Sequence, residues 1–229
     1  MIRKPFPLRN RVILDAILTL LFVLAFGLRF TGELIHELIG LTAFILFALH
    51  LLIGWAGIKS MFSGIFTTRR WLVTAVNVFL FATVMAVCVS GLILFTGASA
   101  GMGLRQVHTI AAYWTLVLTG LHIGLYWERL VGGVRILTKP LVRKKPWCFA
   151  AYLSRVYLLF LLYGIWASFE RSIGTKLFFG ASFDFWNDNW PVALFFFNHL
   201  AVLGVYIAIS RYSIKLMEKT QSKVNHLTL

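Results

Sequence analysis

Four histidines stand in two matched pairs, HELIGLTAFILFALH at 36–50 and HTIAAYWTLVLTGLH at 108–122, each closing a stretch that is otherwise almost uncharged. Fourteen helical residues fall only about 40° short of four full turns, so both imidazoles of a pair share one helix face, about 21 Å apart along the axis. Two such helices facing each other bring His36 opposite His108 and His50 opposite His122. A neutral imidazole nitrogen is a good metal ligand, and a planar haem takes one from each side of its iron. The spacing therefore points to two haem irons, one held by His36 and His108, the other by His50 and His122. Iron held in this way has no open coordination position, which favours electron transfer over oxygen binding. Arg105, one turn before His108, is placed to pair with haem propionates.

Other chemistries use the same side chain. A lone histidine in a membrane helix more often hydrogen-bonds a neighbouring helix or relays protons, and zinc needs ligands converging on one tetrahedral point. Two pairs at one interval favour haem. Gly40, Gly54 and Ala112, one turn beyond three of the ligands, leave room for a macrocycle, whereas Tyr126 breaks that pattern after His122. His199 has no partner at equal depth and reads as structural; His226 falls near the end of the chain. Asp15, four residues after Arg11, reads as half of an ion pair on one helix face. Cys88 and Cys148 form neither a CxxC pair nor the CxxCH of covalent haem, so the haems expected are non-covalent b haems.

The elements that carry these residues are set by composition. With 59% hydrophobic and 13% charged residues the chain is far more apolar than a soluble domain, whose charged share is about 25%. Six apolar runs, at 12–31, 34–57, 71–95, 107–127, 149–169 and 191–210, each approach the ~20 residues that cross a bilayer as helix. The expectation is an all-α integral membrane protein with six transmembrane helices. Residues 1–130 form a dihaem cytochrome b-like four-helix bundle; 131–229 hold a basic cytoplasmic loop, two further spans and a polar tail from 211. The first span has a basic start but no small-residue cleavage site before the next run, and reads as a retained anchor rather than a signal peptide.

The net charge of +14 follows the same topology. Arg3, Lys4, Arg9 and Arg11 precede the first run; Lys59, Arg69 and Arg70 lie between the second and third; Arg129, Arg135, Lys139, Arg143, Lys144 and Lys145 between the fourth and fifth; Arg211, Lys215, Lys219 and Lys223 after the sixth. Basic loops stay cytoplasmic, so both termini are expected inside, His36 and His108 form the outer pair, and His50 and His122 the inner one. Anionic lipid accounts for this charge without nucleic acid. Trp55 and Trp127, each five residues after a second histidine, line the inner end or belong to the aromatic belt. The chain also repeats: FGLRFTG at 26–32 precedes the first pair as SGLILFTG at 90–97 precedes the second.

The motifs LIHELIGLTAFILFALHLLIGW (34–55), SGLILFTG (90–97) and HTIAAYWTLVLTGLHIGLYW (108–127) resemble the flavinylation-associated cytochromes, small bacterial b-type membrane proteins. The resemblance covers the first four spans well and the last two loosely. It implies two b haems on His36, His50, His108 and His122, a place in the bacterial cytoplasmic membrane, and an extracytoplasmic redox partner bearing covalent flavin. A further histidine common just before the last tryptophan of the motif is Tyr126 here and takes no ligand role. TGAS at 96–99 looks like a flavin attachment motif but lacks the domain around it, so no covalent flavin is expected on this chain.

Three functions follow from these residues. The first is transmembrane electron transfer through two bis-histidine haems, from a quinol or inner-side donor to the outer flavoprotein. The second is a quinol or metal-ion reductase with its substrate beside a haem. The third is a haem-free proton-coupled transporter. The loop at 171–190, rich in aromatics, is the candidate surface for docking an outer partner.

Overall fold

The computed structural model describes residues 7–97, 102–138, 147–178 and 190–227, without the side chains of 138, 147–154 and 221–227. All regular structure among these residues is helical: α1 (Leu8–Ala25), α2 (Leu28–Met61), α3 (Thr68–Phe95), α4 (Met102–Leu125), α5 (Trp127–Thr138), α6 (Trp147–Glu170), α7 (Ile173–Leu177) and α8 (Val192–Leu227). Each apolar run lies mainly on one of the six long helices, except that the run expected at 12–31 is broken at Phe26–Gly27, its last residues opening α2, and the run at 107–127 ends on the first residue of α5. Of these, α2, α3 and Val192–Thr220 of α8 are long and apolar enough to cross a membrane, and α4 with α5 adds a fourth if counted as one span across a 73° bend. The first helix is weaker because Arg9, Arg11 and Asp15 crowd its 18 residues.

Local signals place the breaks. Pro7, with φ −57° and ψ 136°, precedes α1, and the Thr67 hydroxyl caps α3 by accepting the Arg70 N–H at 3.4 Å. Both FTG repeats end on a glycine in the left-handed region, Gly32 at φ 75° and Gly97 at φ 66°. Residues with a Cβ avoid that region. Gly97 follows the end of α3, while Gly32 separates a first turn of α2 from its long remainder.

Packing is centred on α4 and α8. Tyr113, Leu116, Ala167, Ile173, Val202 and Leu203 form the main buried cluster. Gly120 and Gly124, one turn apart on α4, let the α8 backbone approach: a Cβ at Gly120 would sit 2.7 Å from that of Tyr206 and 3.0 Å from the Leu203 carbonyl, and one at Gly124 would collide with Ser210. This is the small-residue packing that membrane helices use where lipid removes the hydrophobic drive to associate. The Ser210 hydroxyl donates to the Leu121 carbonyl at 2.8 Å, completing the contact. The second helix lies along α1, and none of its residues is buried.

Three segments differ from expectation. The basic loop expected from 131 is helical as far as Thr138, and α5 packs on α1, where a Cβ at Gly133 would strike Val12. Its mixed composition hides it from a hydropathy reading. The polar tail expected from 211 instead continues α8 to Leu227, because Lys, Glu, Met and Gln are good helix formers. Arg69 at the start of α3 meets Glu218 of that extension at 3.5 Å. Finally, Arg171 and Lys176, expected in a docking loop, are buried, and the Trp114 indole donates to the Leu177 carbonyl at 3.1 Å. Residues 179–189, with Asp184, Trp186 and Asp188, lie outside the described residues.

Candidate functional site: two histidine pairs between helices

The long helices bring the four histidines together as two pairs. The rings of His36 on α2 and His108 on α4 have centres 6.3 Å apart with planes at 72°; those of His50 and His122 are 6.5 Å apart at 69°. All four residues are half-buried.

Each imidazole is held by the same ring atom. His36 Nδ1 lies 2.8 Å from the Ala25 carbonyl and His50 Nδ1 2.7 Å from the Asp15 carboxylate, both on α1. On α3, Ser90 Oγ lies 2.9 Å from His108 Nδ1 and Asn77 Oδ1 2.6 Å from His122 Nδ1. The partners fix the tautomers. A carbonyl and a carboxylate only accept; Ser90 directs its one proton to the Ala86 carbonyl at 2.5 Å; the Asn77 amide nitrogen is committed to the Val73 carbonyl at 2.7 Å. In all four rings Nδ1 therefore donates, and Nε2 keeps its lone pair.

The surroundings suit the rings. Gly91 lets the His108 ring lie against α3, since a Cβ there would be 3.3 Å from its Cε1. At Gly40 and Gly54 a Cβ would meet nothing within 4 Å. Tyr126 packs against His122 with ring centres 4.9 Å apart and planes at 55°, and its hydroxyl accepts from Asn77 Nδ2 at 3.2 Å. Arg105 is exposed on α4, one turn before His108. Trp55 is exposed, with Lys59 Nζ 5.6 Å from its ring centre, and Trp127 lies under Arg211 at 4.9 Å.

Asp15 has a different partner from the one its spacing to Arg11 suggests. Its carboxylate bonds His50 on α2, a contact no single-helix argument contains. Asn77 and Ser90 were not singled out in the sequence, although a lone amide inside the apolar run of α3 and the serine that opens SGLILFTG were visible signals. Among the described residues no three His, Cys, Asp or Glu side chains converge on one point; the imidazoles meet two at a time.

His199 stands apart from both pairs. It is 1% exposed, its Nδ1 lies 2.9 Å from the Phe195 carbonyl, and its ring packs 4.7 Å from Phe26 and 4.4 Å from Phe195. Its ring also lies 6.4 Å from that of Tyr113, whose hydroxyl accepts from Lys176 Nζ at 3.1 Å, and the amide oxygen of the adjacent Asn198 accepts from Arg171 Nε at 3.2 Å. Ser99 of the TGAS stretch and the side chains of Cys148 and His226 lie outside the described residues. Compared with protein-family models, curated proteins and solved structures, the chain finds no match.

Proposed function

We propose that this chain carries electrons across a membrane through two non-covalent b-type haems, one between His36 and His108 and one between His50 and His122. The observation that carries this reading is that all four imidazoles face one another in pairs with Nδ1 engaged by a neighbouring helix, the arrangement that leaves Nε2 of both members of each pair for a metal. The spacing fits the group. Metal–imidazole bonds of about 2 Å, with about 1.2 Å from nitrogen to ring centre, put the two ring centres about 6.4 Å apart. The pairs measure 6.3 and 6.5 Å.

Bound between two imidazoles, haem supplies reversible one-electron exchange. The chain's own residues position it. Ala25, Asp15, Ser90 and Asn77 stop the rings from turning, as outer-shell partners of metal-bound histidines do. Gly40 and Gly54 leave space beside α2, and Arg105 is available to propionates. The apolar helices keep water and loose protons from the pairs.

The finer topology belongs to the same reading: six membrane crossings, α1 to α4 as the dihaem unit, and both termini cytoplasmic in a bacterial inner membrane. Electrons enter from a quinol or an inner-side donor and leave from the His36–His108 site to an extracytoplasmic flavoprotein. The charge distribution of the loops supports the orientation, and the resemblance of the 34–55 and 108–127 motifs to flavinylation-associated cytochromes supports the partner.

The test is His108→Leu in membranes given a donor-side reductant and an outer flavin acceptor. Haem at His50 and His122 should still be reduced, while the acceptor stops being reduced. Acceptor reduction at the unaltered rate would refute the route.

A further inference from the structure

We propose that Asp15 makes the site formed by His50 and His122 the more strongly reducing of the two, so that an electron shared between them favours the His36–His108 site. This rests on the haem reading above.

The four Nδ1 partners are unequal. Ala25 offers a backbone carbonyl, Ser90 a hydroxyl and Asn77 an amide oxygen, all neutral; Asp15 offers a carboxylate 2.7 Å from His50. A hydrogen bond to an ionised acceptor is about twice as strong as a neutral one, and it draws the Nδ1 proton away from the ring. The ring then becomes a more basic ligand through Nε2. A more basic ligand, with a negative charge behind it, stabilises the oxidised metal over the reduced one.

Among the described residues the ion pair formed by this carboxylate is the one with His50 itself. Arg11, one turn earlier on α1, forms no ion pair with Asp15, and its buried Nε has no hydrogen-bond partner among the described residues. Hydrocarbon around α1 and α2 screens the carboxylate far less than water would. Around the other pair the charges in sequence are of both signs, Glu33 and Glu37 beside His36 and Arg105 before His108, and the Nδ1 partners of its rings are a backbone carbonyl and a hydroxyl. One-electron exchange between the sites is balanced in itself: one iron is oxidised as the other is reduced, and no proton moves.

The experiment is a spectroelectrochemical titration of the purified, haem-loaded full chain as wild type, Asp15→Asn and Asn77→Asp. Wild type should show two separate transitions. In Asp15→Asn the lower one should rise, changing its oxidised-to-reduced ratio at fixed potential by about tenfold, ~59 mV for one electron, with two haems retained and the upper transition unmoved. Asn77→Asp places a carboxylate behind the other ligand of the same site and should lower the same transition. Superimposed wild-type transitions overturn the proposal, as does an unmoved lower transition in a two-haem Asp15→Asn protein. Should Asp15→Asn lose haem, Asn77→Asp decides, and an unmoved lower transition there overturns the proposal. A wild-type chain that binds no haem would instead refute the reading beneath it.

Discussion

An imidazole between membrane helices has two nitrogens to satisfy, and a single partner leaves one over. At His36, His50, His108 and His122 the leftover nitrogen is always Nε2, and it belongs to a ring whose neighbour is another histidine. At His199 the surroundings differ: Nδ1 turns back to its own helix at the Phe195 carbonyl, and the ring is enclosed by Phe26, Phe195 and Tyr113. We therefore expect His199→Leu to keep both haems, at a stability cost of about 1 kcal/mol from the lost hydrogen bond. Haem content per folded chain checks this, and loss of one haem would place α8 in a ligand shell. The two histidine pairs were legible in the sequence because each pair recurs at one interval along a single helix. Asp15, Ser90 and Asn77 act across helix interfaces, and their spacing to the histidines, from 18 to 45 residues, follows no local period. Asp15 even had a plausible local partner in Arg11, which the structure does not use.

At the scale of elements, the six long helices were readable from apolar runs, while α5 and the end of α8 were not. Hydropathy detects what lipid will accept, and these segments owe their helical form to propensity and to packing on neighbours. The α4–α8 contact was not singled out in the sequence; the two glycines of TGLHIG, one turn apart beside His122, mark a face open to close packing but not the helix that fills it. That contact fixes α4, and hence two of the four imidazoles. Gly124→Leu would drive a side chain into Ser210 and the Ile207 carbonyl, backbone included, so relief requires the helices to part. Overpacking of this kind costs about 1–3 kcal/mol. Thermal unfolding in detergent should show a clearly lowered midpoint for Gly124→Leu and little change for Gly57→Leu, where a Cβ meets nothing within 4 Å. Equal midpoints for the two variants would mean that α4 and α8 do not depend on this close approach.

For the whole molecule, two helical hairpins each contribute one row of histidines: α1 with α2, and α3 with α4. In each hairpin the first helix supplies the hydrogen-bond acceptors and the second supplies the imidazoles. The repeat seen in the FTG and histidine motifs is thus a repeat of roles as well as of residues, and it places two equivalent sites at two depths. The two pairs differ in their Nδ1 partners, a carboxylate, Asp15, standing behind one of them only. Ligation of haem by both pairs is read from the haem-to-chain ratio of the purified wild-type protein, taken from its pyridine haemochrome spectrum and a protein determination. Two haems b per chain are expected, both removed by acidified organic solvent, with sharp bands on reduction. One haem in a fully loaded sample, or none, would contradict ligation by both pairs.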